Sequence, residues 1–283
     1  MGEHDILTLN IKGELWDFPA PKVMGILNLT PDSFYAASRV QTDQEVVRRT
    51  EQMMAEGADI IDVGACSTRP GAEVPDAGEE MARLRRGLAA VRRAAPQAVV
   101  SVDTFRADVA RMSVEEFGAD MVNDVSGGEA DGEMFGTVAR LHVPYVLTHI
   151  KGTPQTMQIR PHYEDVACEV LQWLSRKVAA LRELGANDVV VDPGFGFGKT
   201  LDDNYRLMCH LERFKVLECP VLVGVSRKSM VYNLLGVEPE GALNGTTSLH
   251  AVALMKGADI LRVHDVRAAA EAVKIVRKVM MSD

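Results

Sequence analysis

The chain of 283 residues predicts an α/β fold: a (β/α)8 TIM barrel with a short N-terminal β-hairpin, built as one domain over residues 1–283. Three observations carry that prediction. A phrase recurs: "AEGADIIDVGA" (55–65), "EFGADMVNDVSG" (116–127) and "MKGADILRVHD" (255–265) share one layout, and "ELGANDVVVDPG" (183–194) is a looser copy. Strand-like and helix-like stretches alternate eight times in about 250 residues, the rhythm of this barrel. Nearly every strand-like stretch also ends in a polar side chain.

Each copy of the phrase holds a helical run, a glycine suited to a left-handed helix cap, a small residue, a polar one and a short apolar run. That pattern returns the chain from a helix into a buried parallel strand. The opening "MGEHDILTLNIKGELWDF" alternates as a hairpin does and lacks the charged-then-apolar layout of a signal peptide. Strands follow near 22–28, 59–63, 98–103, 120–124, 143–148, 188–192, 220–225 and 259–263. Amphipathic helices follow them at 42–56, 75–95, 106–117, 131–141, 161–184, 200–213, 227–257 (broken around Gly236–Gly245) and 265–281. A doubly wound open sheet is the alternative, but such sheets usually stop at five to seven strands. No Pro/Gly/Ser-rich linker divides the chain.

Composition narrows the partners. A net charge of −9 argues against a nucleic-acid backbone, which wants a basic face. The arginines at 83, 85, 86, 92 and 93 alternate around an apolar stripe, as on a solvated helix face. No apolar run approaches the ~20 residues of a membrane span, so no membrane partner is expected. Cys66, Cys168, Cys209 and Cys219 show neither C-x-x-C nor metal-type spacing, as for reduced thiols in a cytoplasmic protein.

The strand ends read Asn28, Asp62, Asp103, Asn123 with Asp124, His149, Asp192, Ser226, and Arg262 with His264. Arg262 and His264 are two apart and so share a face. Their same-face predecessors elsewhere are apolar or small: Ile26 before Asn28, Ser101 before Asp103, Met121 before Asn123, Val190 before Asp192. One Asp or Asn at a strand end often only caps the next helix. So many together describe a barrel interior that is oily until its C-terminal rim, where active sites of this fold sit. After Asp192 comes "PGFGFGK": Gly194, Gly196 and Gly198 let backbone pass close under a flat ligand, while Phe195 and Phe197 offer rings to it. A plain tight turn with two core phenylalanines is the simpler alternative.

"VMGILNLTPDSF" (23–34), "DIIDVGACSTRPGA" (59–72) and "VVVDPGFGFGK" (189–199), with "SVDT" (101–104), "NDVSGG" (123–128), "VGVSRKSM" (223–230) and "LRVHDV" (261–266) in order, closely resemble the dihydropteroate synthase family. The resemblance covers about residues 22 to 280. It implies a TIM-barrel transferase, usually homodimeric and a target of sulfonamides. The expected reaction joins 6-hydroxymethyl-7,8-dihydropterin diphosphate to 4-aminobenzoate, releasing pyrophosphate on the route to folate.

By this resemblance the catalytic set is Asp103, Asp192, Lys228, Arg262 and His264. Asp192 is expected to hold the pterin edge that pairs a ring N–H with an amine, and to lack a protein partner because its partner is substrate. Asn123 and Asp103 meet other ring nitrogens, Lys228 reaches the carbonyl side, and Asp62 joins the substrate-binding rim. Arg262 and His264 clamp the diphosphate, with Asn28 binding both diphosphate and Mg2+. Thr68, Arg69, Pro70 and Phe197 wall the aminobenzoate, whose carboxylate Ser226 receives; the loops 29–34 and 67–72 act as lids. The helices of the seventh and eighth units are the expected dimer face.

Departures from the family's usual text are "YAASRV" (35–40), "LTHIKG" (147–152), which puts Thr148 and Ile150 near the pterin, and "GACSTRPG" (64–71). None removes a residue assigned to chemistry. Three other readings compete: a methyltetrahydrofolate:corrinoid methyltransferase-like protein, a Schiff-base aldolase with Lys228 as nucleophile, and a non-catalytic pterin-binding paralogue. The first has no need of a diphosphate clamp.

Overall fold

Lys12 (φ 57°) and Gly13 (φ 83°) turn the chain between strands β1 (Thr8–Ile11) and β2 (Glu14–Asp17), the two positive φ values that match the twist of an antiparallel pair. This hairpin opens a computed structural model that describes residues 7–30, 42–66, 74–152, 157 and 161–282. Eight parallel strands follow: β3 (Lys22–Asn28), β4 (Ile60–Gly64), β5 (Val99–Asp103), β6 (Met121–Asp124), β7 (Tyr145–Thr148), β8 (Val189–Asp192), β9 (Leu222–Val223) and β10 (Ile260–Val263). Their order in the sheet is β8-β7-β6-β5-β4-β3-β10-β9, and a single parallel bridge, Val191 to Val221, closes β8 onto β9. The predicted barrel is therefore present, with its seventh strand cut to two residues.

Outside lie α1 (Asp43–Glu56), α2 (Ala77–Ala94), α3 (Ala107–Phe117), α4 (Met134–Leu141), α5 (Val166–Glu183), α6 (Leu201–Cys209), α7 (Ser229–Leu235), α8 (Leu243–Met255) and α9 (Val266–Met280). Local signals set their ends. Thr42 and Glu45 form a capping box on α1, and Thr200 with Asp203 does the same for α6. The fifth helix starts at Val166 rather than 161, and the sixth ends early and continues as a 3-10 turn over Leu211–Leu217. The predicted break in the seventh helix is real: Gly236 caps α7 and a 3-10 turn, Pro239–Ala242, precedes α8.

The repeated phrase has a physical basis. Its four glycines, Gly57, Gly118, Gly185 and Gly257, all have positive φ. The acid that follows stitches the start of the neighbouring strand: Asp59 accepts from Val23 N, Asp120 from Val100 N and Asp259 from Val221 N, each at 2.8 Å. Asp188 uses the same grip, also 2.8 Å, on Asn10 N of the hairpin. The arginines of α2 do more than meet solvent: Arg85 pairs with Glu116 of α3, and Arg92 ties Phe117 O, Ala98 O and Asp120 together.

Inside the cylinder, Met24, Ile60, Met121, Val146, Val190, Leu222 and Ile260 form a floor at the N-terminal ends of the strands. Leu9 and Ile11 of the hairpin pack onto it, so the first strand pair plugs the bottom of the barrel. The larger core fills the shell between strands and helices. Among the described residues no helix is long and apolar enough to cross a membrane.

Candidate active site

Above the apolar floor, the inward side chains two residues further along β4, β6, β7, β8 and β10 turn polar: Asp62, Asn123, Thr148, Asp192 and Arg262. Arg262, on β10, crosses the mouth of the barrel: its Nε donates to Asp62 Oδ2 at 2.7 Å and its Nη2 to Asp103 Oδ2 at 2.5 Å. Asp62 is wholly buried, and the same Oδ2 accepts Asn123 Nδ2 at 3.1 Å. Only the amide nitrogen of Asn123 can donate to a carboxylate, so that contact fixes the amide and leaves its carbonyl oxygen for other partners. The Asp62–Arg262–Asp103 ladder thus welds β4, β5, β6 and β10 at the rim. Burial drives the Asp103 carboxyl up to about 7, against the pull of Arg262 and with Asp62 and Glu80 adding to the rise.

The opposite side of the mouth is built by β8 and the turn after β9. Asp192 Oδ1 accepts Gly194 N at 2.7 Å. Burial raises its pKa first, while Lys228, Gly194 N, Lys199 and Arg262 hold it down. The expectation that Asp192 has no protein partner is therefore corrected. It is held by the loop it begins, because a buried carboxylate left without donors would be costly. Lys228 donates to Phe195 O at 2.6 Å and sits 4.4 Å over the Phe197 ring. Burial lowers the Lys228 pKa to about 8, Asp192 working in the other direction. Only Phe197 offers a ring here; Phe195 is fully buried in the outer core.

Ser226 and His264 form a separate pair. Ser226 Oγ accepts His264 N at 3.1 Å and lies 3.1 Å from His264 Nδ1. Burial, then Arg262, lowers the His264 pKa to about 3, so the imidazole is neutral before any anion arrives. Behind them Arg227, at φ 52°, is fixed by Asp265 through both Nε (2.8 Å) and Nη2 (3.0 Å) and by the carbonyls of Pro239 and Glu240. This held, sparsely populated conformation sets the turn that presents Ser226 and Lys228. Sequence reasoning missed it.

Two rim residues are reassigned. Val146 faces the floor, so Thr148 is the inward end of β7 and His149 points outward, edge-on to Trp173 at 5.1 Å. The period of two decides this: the strand ends at Thr148, as the range 143–148 predicts, and the reading of His149 as its rim residue is corrected. Asp124 likewise faces outward, accepting Tyr145 Oη (2.7 Å), Ser126 N and Gly128 N, a capping role. Thr148 Oγ1 and Ser101 Oγ are buried without a described partner, as is Asp62 Oδ1. Thr68, Arg69 and Pro70 lie outside the described residues, as do residues 31–34 of the first expected lid.

Asn28 ends β3, and its Oδ1 and the Asp103 carboxylate both border Gly64, where a Cβ would sit 3.6 Å from Asn28 Oδ1 and 3.5 Å from Asp103 Oδ2. Among the described residues no group of three His, Cys, Asp or Glu could cage a metal. A neutral amide oxygen beside one carboxylate fits Mg2+ carried chiefly by ligand phosphates. The backbone under Asp192 has equally little room. A Cβ on Gly194 (φ 72°) would lie 1.9 Å from His149 O, so Gly194→Ala is expected to lower stability by about 2 kcal/mol or more, read as a lower urea midpoint.

Known proteins resemble this one in sequence and in fold. The family model described as pterin binding enzyme matches residues 24–264. The dihydropteroate synthase of Escherichia coli (strain K12) is 39% identical over 272 residues, 95% of either chain. The structure of Yersinia pestis dihydropteroate synthase with a sulfonamide drug complex superposes with TM-score 0.91 at 35% identity, covering 98% of this chain and 100% of that one. That of the Thermus thermophilus enzyme in complex with 4-aminobenzoate gives 0.85 at 39% identity, covering 96% and 99%. The family match over residues 24–264, the identity along nearly the whole chain and the superposition of the barrel place this protein in the pterin-binding enzyme family, among the dihydropteroate synthases.

Proposed function

We propose that this mouth joins 6-hydroxymethyl-7,8-dihydropterin diphosphate to 4-aminobenzoate, breaking the bond from the methylene carbon to the diphosphate oxygen. A new bond to the arylamine nitrogen replaces it, and the arylamine gives up a proton. The observation that carries the reading is the convergence of Asp192, Lys228, Asn123, Asp103 and Arg262 on one rim, with acids and cations alternating across it. Asp192 accepts the paired hydrogens of the pterin edge, and Lys228 turns from Phe195 O to the ring carbonyl. Asn123 meets the ring with the oxygen that Asp62 leaves free, and Asp103 steadies positive charge developing at the methylene.

Arg262 and His264 receive the diphosphate. Arg262 spends Nε and Nη2 on Asp62 and Asp103, and its Nη1 makes no hydrogen bond among the described residues. It is thus held by two bonds and aimed by a third face. His264, neutral beforehand, takes up a proton more readily as anionic oxygens approach. Asn28 supplies its amide oxygen to Mg2+, which when bound neutralises charge on the departing pyrophosphate. Asn28→Ala is accordingly expected to raise the Mg2+ concentration for half-maximal rate at least fivefold, in a Mg2+ titration at saturating substrates. Phe197, with Thr68, Arg69 and Pro70, walls the arylamine and any sulfonamide that mimics it. Ser226 keeps its place near the aminobenzoate carboxylate, though its described hydrogen bonds serve His264.

Incubating the protein with both substrates and Mg2+ and measuring pyrophosphate tests the reading. No pyrophosphate above blank, with pterin binding intact, would overturn it and favour a non-catalytic paralogue. A homodimer through the helices of the seventh and eighth units fits the same reading: Leu234, Leu235, Leu243, Val252 and Met255 on α7 and α8, and Ile275, Val279 and Met280 on α9, are exposed apolar side chains. Sedimentation equilibrium checks it.

A further inference from the structure

Lys199 ends the glycine–phenylalanine loop and is only 3% exposed. Its ammonium lies 2.8 Å from Gly194 O, 3.1 Å from Phe197 O and 3.0 Å from His149 Nδ1. As an ammonium, Lys199 has three N–H donors facing three acceptors, which leaves no hydrogen for a substrate. Burial pushes Lys199 down to about 7, with Asp192 and Asp203 pulling up and Lys228 and Lys151 pushing down. His149, driven to about 2 by burial and then by Lys199, is neutral; with the Lys199 ammonium as donor, Nδ1 accepts and the ring proton belongs on Nε2. The imidazole in turn is wedged against Trp173, and Tyr163 donates to Gly198 O at 2.8 Å.

Two ammonium groups therefore grip one short loop from opposite sides. Lys228 reaches it from the pocket at Phe195 O, and Lys199 reaches it from behind at the peptides on either side. Lys228 is the one a ligand can take. When it turns to a pterin, Phe195 O loses the donor that held it, and the bonds to Gly194 O and Phe197 O stay.

We propose that Lys199, backed by His149, is a positioning residue for the arylamine half of the reaction: a strut that fixes the Phe197 ring, which lies under the Lys228 ammonium, while Lys228 changes partner. This rests on the reading of Phe197 as a wall of the aminobenzoate site. Lys199 touches no substrate; it acts through the peptide of Phe197.

Steady-state kinetics with each substrate varied in turn, on wild type, Lys199→Met, His149→Leu and His149→Asn, tests it. Lys199→Met is expected to raise KM for 4-aminobenzoate at least tenfold and to leave KM for the pterin diphosphate within threefold, since Asp192 keeps Gly194 N and Lys228. His149→Leu shifts the same ratio by a smaller factor. His149→Asn, which keeps an acceptor oxygen near the place of Nδ1, returns it to the wild-type value. Should Lys199→Met not fold, the two His149 variants decide. Equal changes in both KM values, an unchanged arylamine KM, or a His149→Asn as impaired as His149→Leu would overturn the proposal. A wild type that forms no pyrophosphate would overturn the functional reading itself, a result distinct from an active wild type whose variants show no split.

Discussion

Asp192→Asn is expected to weaken pterin binding by roughly 2–4 kcal/mol, about 30- to 1000-fold in Kd, measured by calorimetry with a pterin that carries no phosphate. A carboxylate accepts two adjacent hydrogens; an amide can accept one and turns its own N–H2 against the other. The charge matters too. Asp192 is what opposes the burial-driven fall of Lys228, already near 8, so the variant's lysine loses its proton at lower pH. Pterin affinity in Asp192→Asn should then fall away as pH rises through 7, where the wild type still holds. Affinity undiminished at any pH between 6 and 8 would remove Asp192 from pterin recognition.

Arg262→Ala is expected to be the most damaging single change for turnover. It removes the cation that Asp62 and Asp103 share and leaves two inward carboxylates facing each other. Breaking a buried charged pair from one side typically costs about 3–5 kcal/mol of stability. The pH dependence has a definite sign. The Asp103 carboxyl is raised in the fold to about 7, and Arg262 is the main influence keeping it from rising further. Its native form therefore binds more proton than the unfolded chain between the ordinary carboxylate range and 7, and stability falls as pH climbs through that window. Without Arg262 the window extends upward, so the variant should lose more stability between pH 6 and pH 8 than wild type does. The acid limb of its pH–rate profile should move up in parallel, and kcat should drop more than affinity for a phosphate-free pterin. Equal losses in both would take Arg262 out of the diphosphate role.

The barrel was legible because parallel strands buried on both faces write short apolar runs, and helix caps write glycine. Strand ends at Asn28, Asp103 and Asp192 come out at the expected residue. β7 shows the limit: an apolar run has no internal mark of which alternate residues face in, so His149 was read onto the rim although Thr148 is the inward residue. The repeat was visible and its purpose was not, since a hydrogen bond that an acid accepts from an N–H at the start of the preceding strand leaves no local trace. Lys199 and Arg227 were hidden for a related reason. Each is a charged residue whose partners are mainly backbone carbonyls or distant acids, and nothing near it in the text says that it is buried.

The single bridge from Val191 to Val221 leaves the cylinder with one lightly buttoned join. Asp192 stands on one bank of that join and Lys228 on the other, so a flat guest bound to both acts as a rivet across the gap. On the proposed function, occupancy and closure of the wall would be one event, and loading the guest should tighten the whole ring.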